Sequence, residues 1–424
     1  MRHRGAHHTR NGRKTRYGRT NQERTQRHPR RTPRPHRQRR PLRRGGISQT
    51  EYPHKRGLPR PAGSRRNHLR EERPGQTEGT RGGVTGGEGE RGNGRPRRVL
   101  VTGGAGFIGS HLAASLIERG DNVTIVDDLS TGDARNIPDG ARFIHSTVSE
   151  AVDRSDIGSE SFDQVYHLAA SVGVDLVMRE PVHAIETNTE QTAALLRCLA
   201  KTGSGPVLIA SSSEVYGKPT RRVFSEDDDV VYGPTTIIRW SYACTKAIDE
   251  YLALGHHRAG SVRCVVARLF NTVGPGQTGR YGMVLPRFVE AALRGEPIRV
   301  FGDGTQTRCF CDVRDVVRAL PRLLETPACL GRVFNLGSDH PITIRELAEM
   351  VRRVLGSSSP VVRVPYSEAY PEGYEDLRHR RPDLARVRET IGFEPVIGLE
   401  QTIRDIADAI GQGGRMTAAE RAEP

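Results

Sequence analysis

From Arg98 onward, short apolar runs alternate with segments of helical period: "RVLVTG", "FIGSHLAASLIERG", "NVTIVDD", "QVYHLAA", "PVHAIETNTEQTAALLRCLA" and "PVLIASSS". Strands and helices alternating at this spacing make βαβ units, whose strands run parallel. Helices crossing over both faces of such a sheet give a doubly wound α/β architecture. No internal repeat is visible in the sequence.

The first unit, "VLVTGGAGFIGSHLAASLIERGDNVTIVDD", carries glycines at 103, 104, 106 and 109. A strand is expected to end near Thr102 and a helix to begin near Phe107. Gly103 then permits a tight turn, Gly106 a close approach of backbone to a pyrophosphate, and Gly109 close packing of helix on strand. The helix N-terminus offers unpaired N–H groups and a positive dipole to phosphate. Asp127 ends the next strand about 20 residues on, where an acid meets an adenosine ribose hydroxyl. A tight βα connection without a ligand does not account for all four glycines. The pattern therefore predicts dinucleotide binding on a Rossmann-type sheet. Asp127 would repel a 2′-phosphate, which favours NAD over NADP.

Beyond Gly274 the pattern loosens into "GPGQTGRYG" and "FGDGTQTR". "ITIRELAEMVRRVLG" then places Ile344, Leu347, Met350, Val351 and Leu355 on one helical face. The expected organisation is a Rossmann domain over 98–273, a smaller α/β subdomain over 274–410 that is mainly substrate-binding and closes over a cleft, and a frayed end over 411–424.

Residues 1–97 differ in kind. The whole chain has a formal net charge of +15, yet residues 1–98 hold 29 Lys/Arg against 7 Asp/Glu, so residues 99–424 carry a net −7. The basicity belongs to a tail. "RHPRRTPRPHRQRRPLRR" has one apolar residue, Leu42, and cannot bury enough surface to offset its ordering entropy, so disorder is expected. A nucleic-acid arm has only Tyr17 and Tyr52 for stacking. A transit peptide would be richer in Ser and shorter. A start site placed upstream of the functional chain is the plainer reading. The acidic fold offers nucleic acid no second surface, so nucleic acid is not an expected partner. No run approaches ~18 apolar residues, so no membrane span is expected. The six cysteines form no Cys-x-x-Cys pair, which argues against structural zinc or disulfides and fits a reducing cytoplasm.

"PVLIASSSEVYG" reads as a buried strand whose carboxyl end carries Ser211, Ser212, Ser213 and Glu214, facing the ligand crevice. In the helical "RWSYACTKAIDEYLAL", Tyr242 and Lys246 sit four apart on one face. A tyrosine is a poor base at neutral pH unless an ammonium and a cationic nicotinamide lower its pKa. With both, it becomes a proton shuttle for an alcohol being oxidised to a ketone.

These residues resemble the extended short-chain dehydrogenase/reductases, specifically the NAD-dependent sugar-nucleotide epimerases and dehydratases. The resemblance runs from residue 98 to about 410 through "GGAGFIGSH", "YHLAA", "SSSEVYG", "YACTK", "ARLFNTVGP", "GDGTQTRCFCDVRD" and "FNLGS". It implies Tyr242 as base, Lys246 as its activator and a ribose contact, and Ser212 as hydrogen-bond partner of the sugar hydroxyl. It implies Gly103, Gly106, Phe107, Ile108, Gly109, Asp127, Leu168 and Ala169 around NAD. Asn271 and Arg308 would hold the nucleotide and pyrophosphate of a UDP-sugar, in a homodimeric enzyme. One position departs from the pattern: many relatives carry an acid after the third strand, near the adenine, where this chain has "FIHSTVSE".

Three family reactions begin with oxidation at C4 of the sugar. Ser213 stands where a dehydratase would have an Asp, which argues against dehydration. Glu214 and Arg380, in "HRRPD", resemble the uronate decarboxylases. "RWSYACTKAIDE" and "FNTVGPGQTGRYGMVLPRF" look closer to bacterial 4-epimerases. Arg280 would clamp a substrate carboxylate or stand in a solvated loop. The expectation is a UDP-sugar 4-epimerase, with UDP-glucuronate as a candidate substrate and UDP-glucuronate decarboxylase as the alternative. A non-catalytic NAD-binding regulator would not need Tyr242 and Lys246.

Overall fold

A computed structural model describes residues 95–218, 221–279, 282–369 and 377–420. Seven strands form one sheet: β1 (Arg98–Thr102), β2 (Asn122–Asp127), β3 (Arg142–His145), β4 (Gln164–His167), β5 (Val207–Ser212), β6 (Cys264–Leu269) and β7 (Val333–Leu336). Their order is β7-β6-β5-β4-β1-β2-β3, and every pairing is parallel. The strand order reverses between β1 and β4. In such sheets ligands bind at the carboxyl ends of the strands beside the reversal.

The strands are apolar on both faces, and β1 shows why. Val99 and Val101 point to one side and Leu100 to the other, all fully buried. On the first side they meet α1 (Phe107–Glu118) and α6 (Val313–Glu325), through Leu112, Leu116, Val316 and Leu320. On the second they meet α2 (Val148–Asp153), α3 (Pro181–Thr202) and α4 (Ser241–Arg258), through Val148, Leu195, Leu199 and Ala253. The doubly wound α/β architecture is thus present.

A separate core lies beyond the sheet. It gathers α5 (Val284–Arg294), α7 (Ile344–Val354) and α8 (Leu399–Glu420) around Leu285, Phe288, Leu347, Val351, Ile403 and Ile406. The parallel pair Ile298–Phe301 and Val361–Val364 joins it. Thr343 starts α7 with a capping box: its hydroxyl accepts from Glu346 N (3.1 Å), and the Glu346 carboxylate accepts from Thr343 N (2.9 Å). Within 274–410, β7 returns to the main sheet as its edge strand. The helix that holds Ile403 spans Leu399–Glu420. Residues 1–94 and Arg280 lie outside the described residues.

Candidate active site

The carboxyl ends of β1, β2, β4, β5 and β6 open on a cavity of about 1090 Å³. Its first wall is the glycine loop, with Gly103, Gly106, Phe107, Ile108, Gly109, Asp127, Leu168 and Ala169 all at its surface. Gly103 has φ +72, and a Cβ there would stand 2.6 Å from Ala169 N. A Cβ on Gly109 would collide with the Gly103 carbonyl. These two glycines therefore let loop, helix and β4 pack together. Gly106 is different: the nearest atom to a Cβ there is the Gly103 oxygen at 3.2 Å. That contact is tight but milder than the other two, and a ligand lying against the loop would add a further reason for glycine.

Asp127 ends β2 and is buried. Its carboxylate accepts from Ala105 N and Leu129 N, both at 2.9 Å. Burial raises its pKa against these two bonds. The acid thus shapes the loop as well as lining the cavity. Thr147, within the departing stretch after β3, is used as a helix cap: its hydroxyl accepts from Glu150 N at 3.3 Å and opens α2.

The second wall is formed by the end of β5 and the start of α4. Ser212, Ser213, Glu214, Tyr242 and Lys246 all line the cavity. The Ser212 hydroxyl accepts from Glu214 N at 3.2 Å, and the Ser212 side chain works to lower the Tyr242 pKa. Burial raises the Tyr242 pKa, Lys246 lowers it and Glu214 raises it, with a net upward shift. Lys246 is 3% exposed, and its ammonium donates to Asp249 at 3.2 Å. Burial works to lower the Lys246 pKa, but Asp249 and Tyr242 outweigh it and the net shift is upward. Behind them, Thr102 and Thr192 sandwich the ring of His167 at 2.7 and 3.0 Å. Thr192 donates to the Asn188 carbonyl, so it accepts from His167 Nε2–H, and Nδ1 accepts from Thr102. Burial, with Lys246 nearby, pushes His167 down to about 3 and keeps it neutral.

Glu214 is buried between two guanidiniums, Arg239 at 2.6 Å and Arg380. Burial would raise its pKa, but Arg380 and Arg239 hold it at about 2. Asn271 and Arg308 line the same cavity. Asn271 donates to the Cys309 carbonyl at 3.2 Å, and Arg308 donates to the Leu377 carbonyl at 2.8 Å. Among the described residues, the structure therefore brings together those singled out in the sequence, and Arg280 lies outside the described residues. Sequence reasoning passed over three that matter here. His167 sits inside "YHLAA", Arg239 stands three residues before Tyr242, and Asp249 stands three after Lys246. Helical spacing offered a signal for Asp249.

The NAD dependent epimerase/dehydratase family matches residues 99–337. The UDP-N-acetyl-alpha-D-glucosaminuronate decarboxylase of Bacillus cytotoxicus is 40% identical over 312 residues, covering 73% of this chain and 96% of that protein. UDP-glucuronic acid decarboxylase 4 of Arabidopsis thaliana is 37% identical over 310 residues, covering 72% of this chain and 66% of that protein. Among solved structures, the UDP-glucose 4-epimerase of Thermotoga maritima, with UDP-glucose, superposes with a TM-score of 0.68 at 30% identity. It covers 74% of this chain and 99% of its own. NAD is the cofactor of this family. The cradle fits it: Gly106, with no side chain, and Asp127 both border the cavity at the mouth of the glycine loop.

Proposed function

The chain belongs to the NAD-dependent epimerase/dehydratase family, and from that premise we propose that it is a UDP-uronate decarboxylase. The substrate class is UDP-glucuronate and its 2-acetamido counterpart, and the products are carbon dioxide and a UDP-sugar one carbon shorter. The observation that carries this reading is Glu214, ionised between Arg239 and Arg380 beside Ser212. A carboxyl held at about 2 has no proton to donate at neutral pH, so it cannot serve as the acid of a dehydratase. A guanidinium-flanked strand end does suit a substrate that brings its own carboxylate. The relatives named for uronate decarboxylation point the same way, and they favour the decarboxylase over the 4-epimerase expected from sequence.

Gly103, Gly106, Gly109 and Asp127 would hold NAD, which would supply a hydride acceptor for the C4 hydrogen and the donor for its return. Tyr242, beside Ser212, takes the proton of the sugar 4-hydroxyl onto its ionised phenol oxygen as the sugar oxygen becomes a ketone. Lys246 offsets the phenolate charge. The resulting β-keto acid loses carbon dioxide when its C5–C6 bond breaks and the electron pair moves toward the C4 oxygen. Tyr242 and Ser212 hydrogen-bond that oxygen, C5 takes a proton from water, and Tyr242 returns its proton to O4 when the ketone is reduced. The enzyme is tested with NAD and UDP-glucuronate, UDP-N-acetylglucosaminuronate or UDP-glucose in separate incubations. Carbon dioxide release and loss of that mass from a uronate are expected. Epimerised product of unchanged mass would overturn the reading in favour of a 4-epimerase.

A further inference from the structure

Asp249 lies on the side of α4 turned into the protein and is 0% exposed. A carboxylate in such a place needs a compensating charge. It has one in Lys246, whose ammonium is 3.2 Å away and nearly as buried. The other acid of this stretch, Glu250, is committed elsewhere. Arg268 of β6 grips it through two bonds of 2.9 and 2.7 Å, and Ser211 donates to it at 2.5 Å. Tyr242, on the same helix, and Glu250 also favour the Lys246 ammonium, each less than Asp249, and His167 comes from β4 as a neutral ring. Glu214, after β5, faces Tyr242 but is neutralised by two arginines. From α3 the approaching group is the Thr192 hydroxyl.

We propose that Asp249 is a positioning residue for the reaction, holding the Lys246 amine in place and keeping it protonated inside a dry interface. This rests on the reading of Lys246 as the cation beside a catalytic Tyr242. A lysine buried without a counter-charge loses its proton several pH units early, and a neutral amine cannot stabilise a phenolate. Burial acts on Lys246 in that direction, and Asp249 is the largest influence opposing it.

The chain offers a direct probe, because its only lysines are Lys14, Lys55, Lys201, Lys218 and Lys246. Full-length protein labelled with ¹³C at lysine Cε gives five signals, and Lys246→Arg assigns the one that matters. In the wild type the Lys246 signal is expected to titrate above the ordinary lysine range. In Asp249→Asn it titrates at least about one pH unit lower, and the alkaline limb of kcat moves down with it. Asp249→Glu restores the charge and returns both toward the wild type. Asp249→Gln serves as the neutral comparison to Glu if the Asn variant does not fold. A Lys246 titration unchanged in the neutral variant overturns the proposal. So does insolubility of both neutral variants beside a soluble Glu variant, which would make the pair a folding requirement only. The NMR titration does not depend on which sugar is turned over, so a wrong substrate assignment leaves it readable.

Discussion

Replacing Glu214 by Gln removes one negative charge from between Arg239 and Arg380 while keeping the side-chain length. The carboxyl sits at about 2 against an ordinary 4.5. Lowering a carboxyl pKa by one on folding stabilises the native state by about 1.4 kcal/mol at neutral pH, so the ionised form contributes roughly 3 kcal/mol. The group is buried, so solvent screening takes little of this away, and breaking a buried ion pair by removing one partner falls in the same range. The sign follows from the direction of the displacement. A depressed carboxyl contributes its full amount above pH 4.5 and loses it as pH falls through about 2. Urea unfolding of wild type and Glu214→Gln at pH 7, 4.5 and 3 reads this out. The variant should be less stable by roughly 3 kcal/mol at pH 7, and the gap should narrow clearly by pH 3. A gap that stays constant with pH, or is under ~1 kcal/mol throughout, would mean that ionised Glu214 does not organise this end of the cavity.

Gly106→Val should abolish NAD binding in calorimetry and lower the melting temperature of the cofactor-free protein only modestly, since its Cβ would press on the Gly103 oxygen at 3.2 Å; unchanged NAD affinity would take the loop out of the cofactor site. Tyr242→Phe removes one hydroxyl and should slow turnover ~10²–10⁴-fold with circular dichroism unaltered; near-normal turnover would remove Tyr242 from the proton path. A chain beginning at Gly94 keeps the Arg95–Asp163, Arg97–Glu325 and Arg98–Glu160 pairs. It should match full-length protein in melting temperature and NAD affinity, and a markedly lower value of either would give the basic segment a role.

What could be read from the sequence was whatever depends on neighbours along the chain. The β1 end at Thr102, the α1 start at Phe107 and the Tyr242–Lys246 face follow from glycine placement and helical spacing, and the structure has these element bounds. Glu214 and Arg380 are 166 residues apart, and only the family resemblance connected them. Arg239 was invisible because composition and period do not say which of many arginines turns inward. The strand in "FNLGS" was noticed as a motif and not as the seventh member of the sheet, because its partner, β6, lies more than 60 residues earlier. Long-range pairing leaves no local periodic trace.

That seventh strand has a consequence for how the chain can be divided. Without β7, the ladder of β6 would have a bare edge along Val266, Ala267 and Arg268, backed by apolar side chains on both faces. An exposed, flat, apolar strand edge is a template for joining other chains. A fragment ending at residue 273 would hold the whole glycine loop and both Tyr242 and Lys246, yet would present that edge to solvent. It should aggregate unless the distal segment is supplied in trans. The half that holds Tyr242 and Lys246 is therefore sealed by residues synthesised some 60 positions after it, and a nascent chain cannot complete its sheet until those residues have left the ribosome.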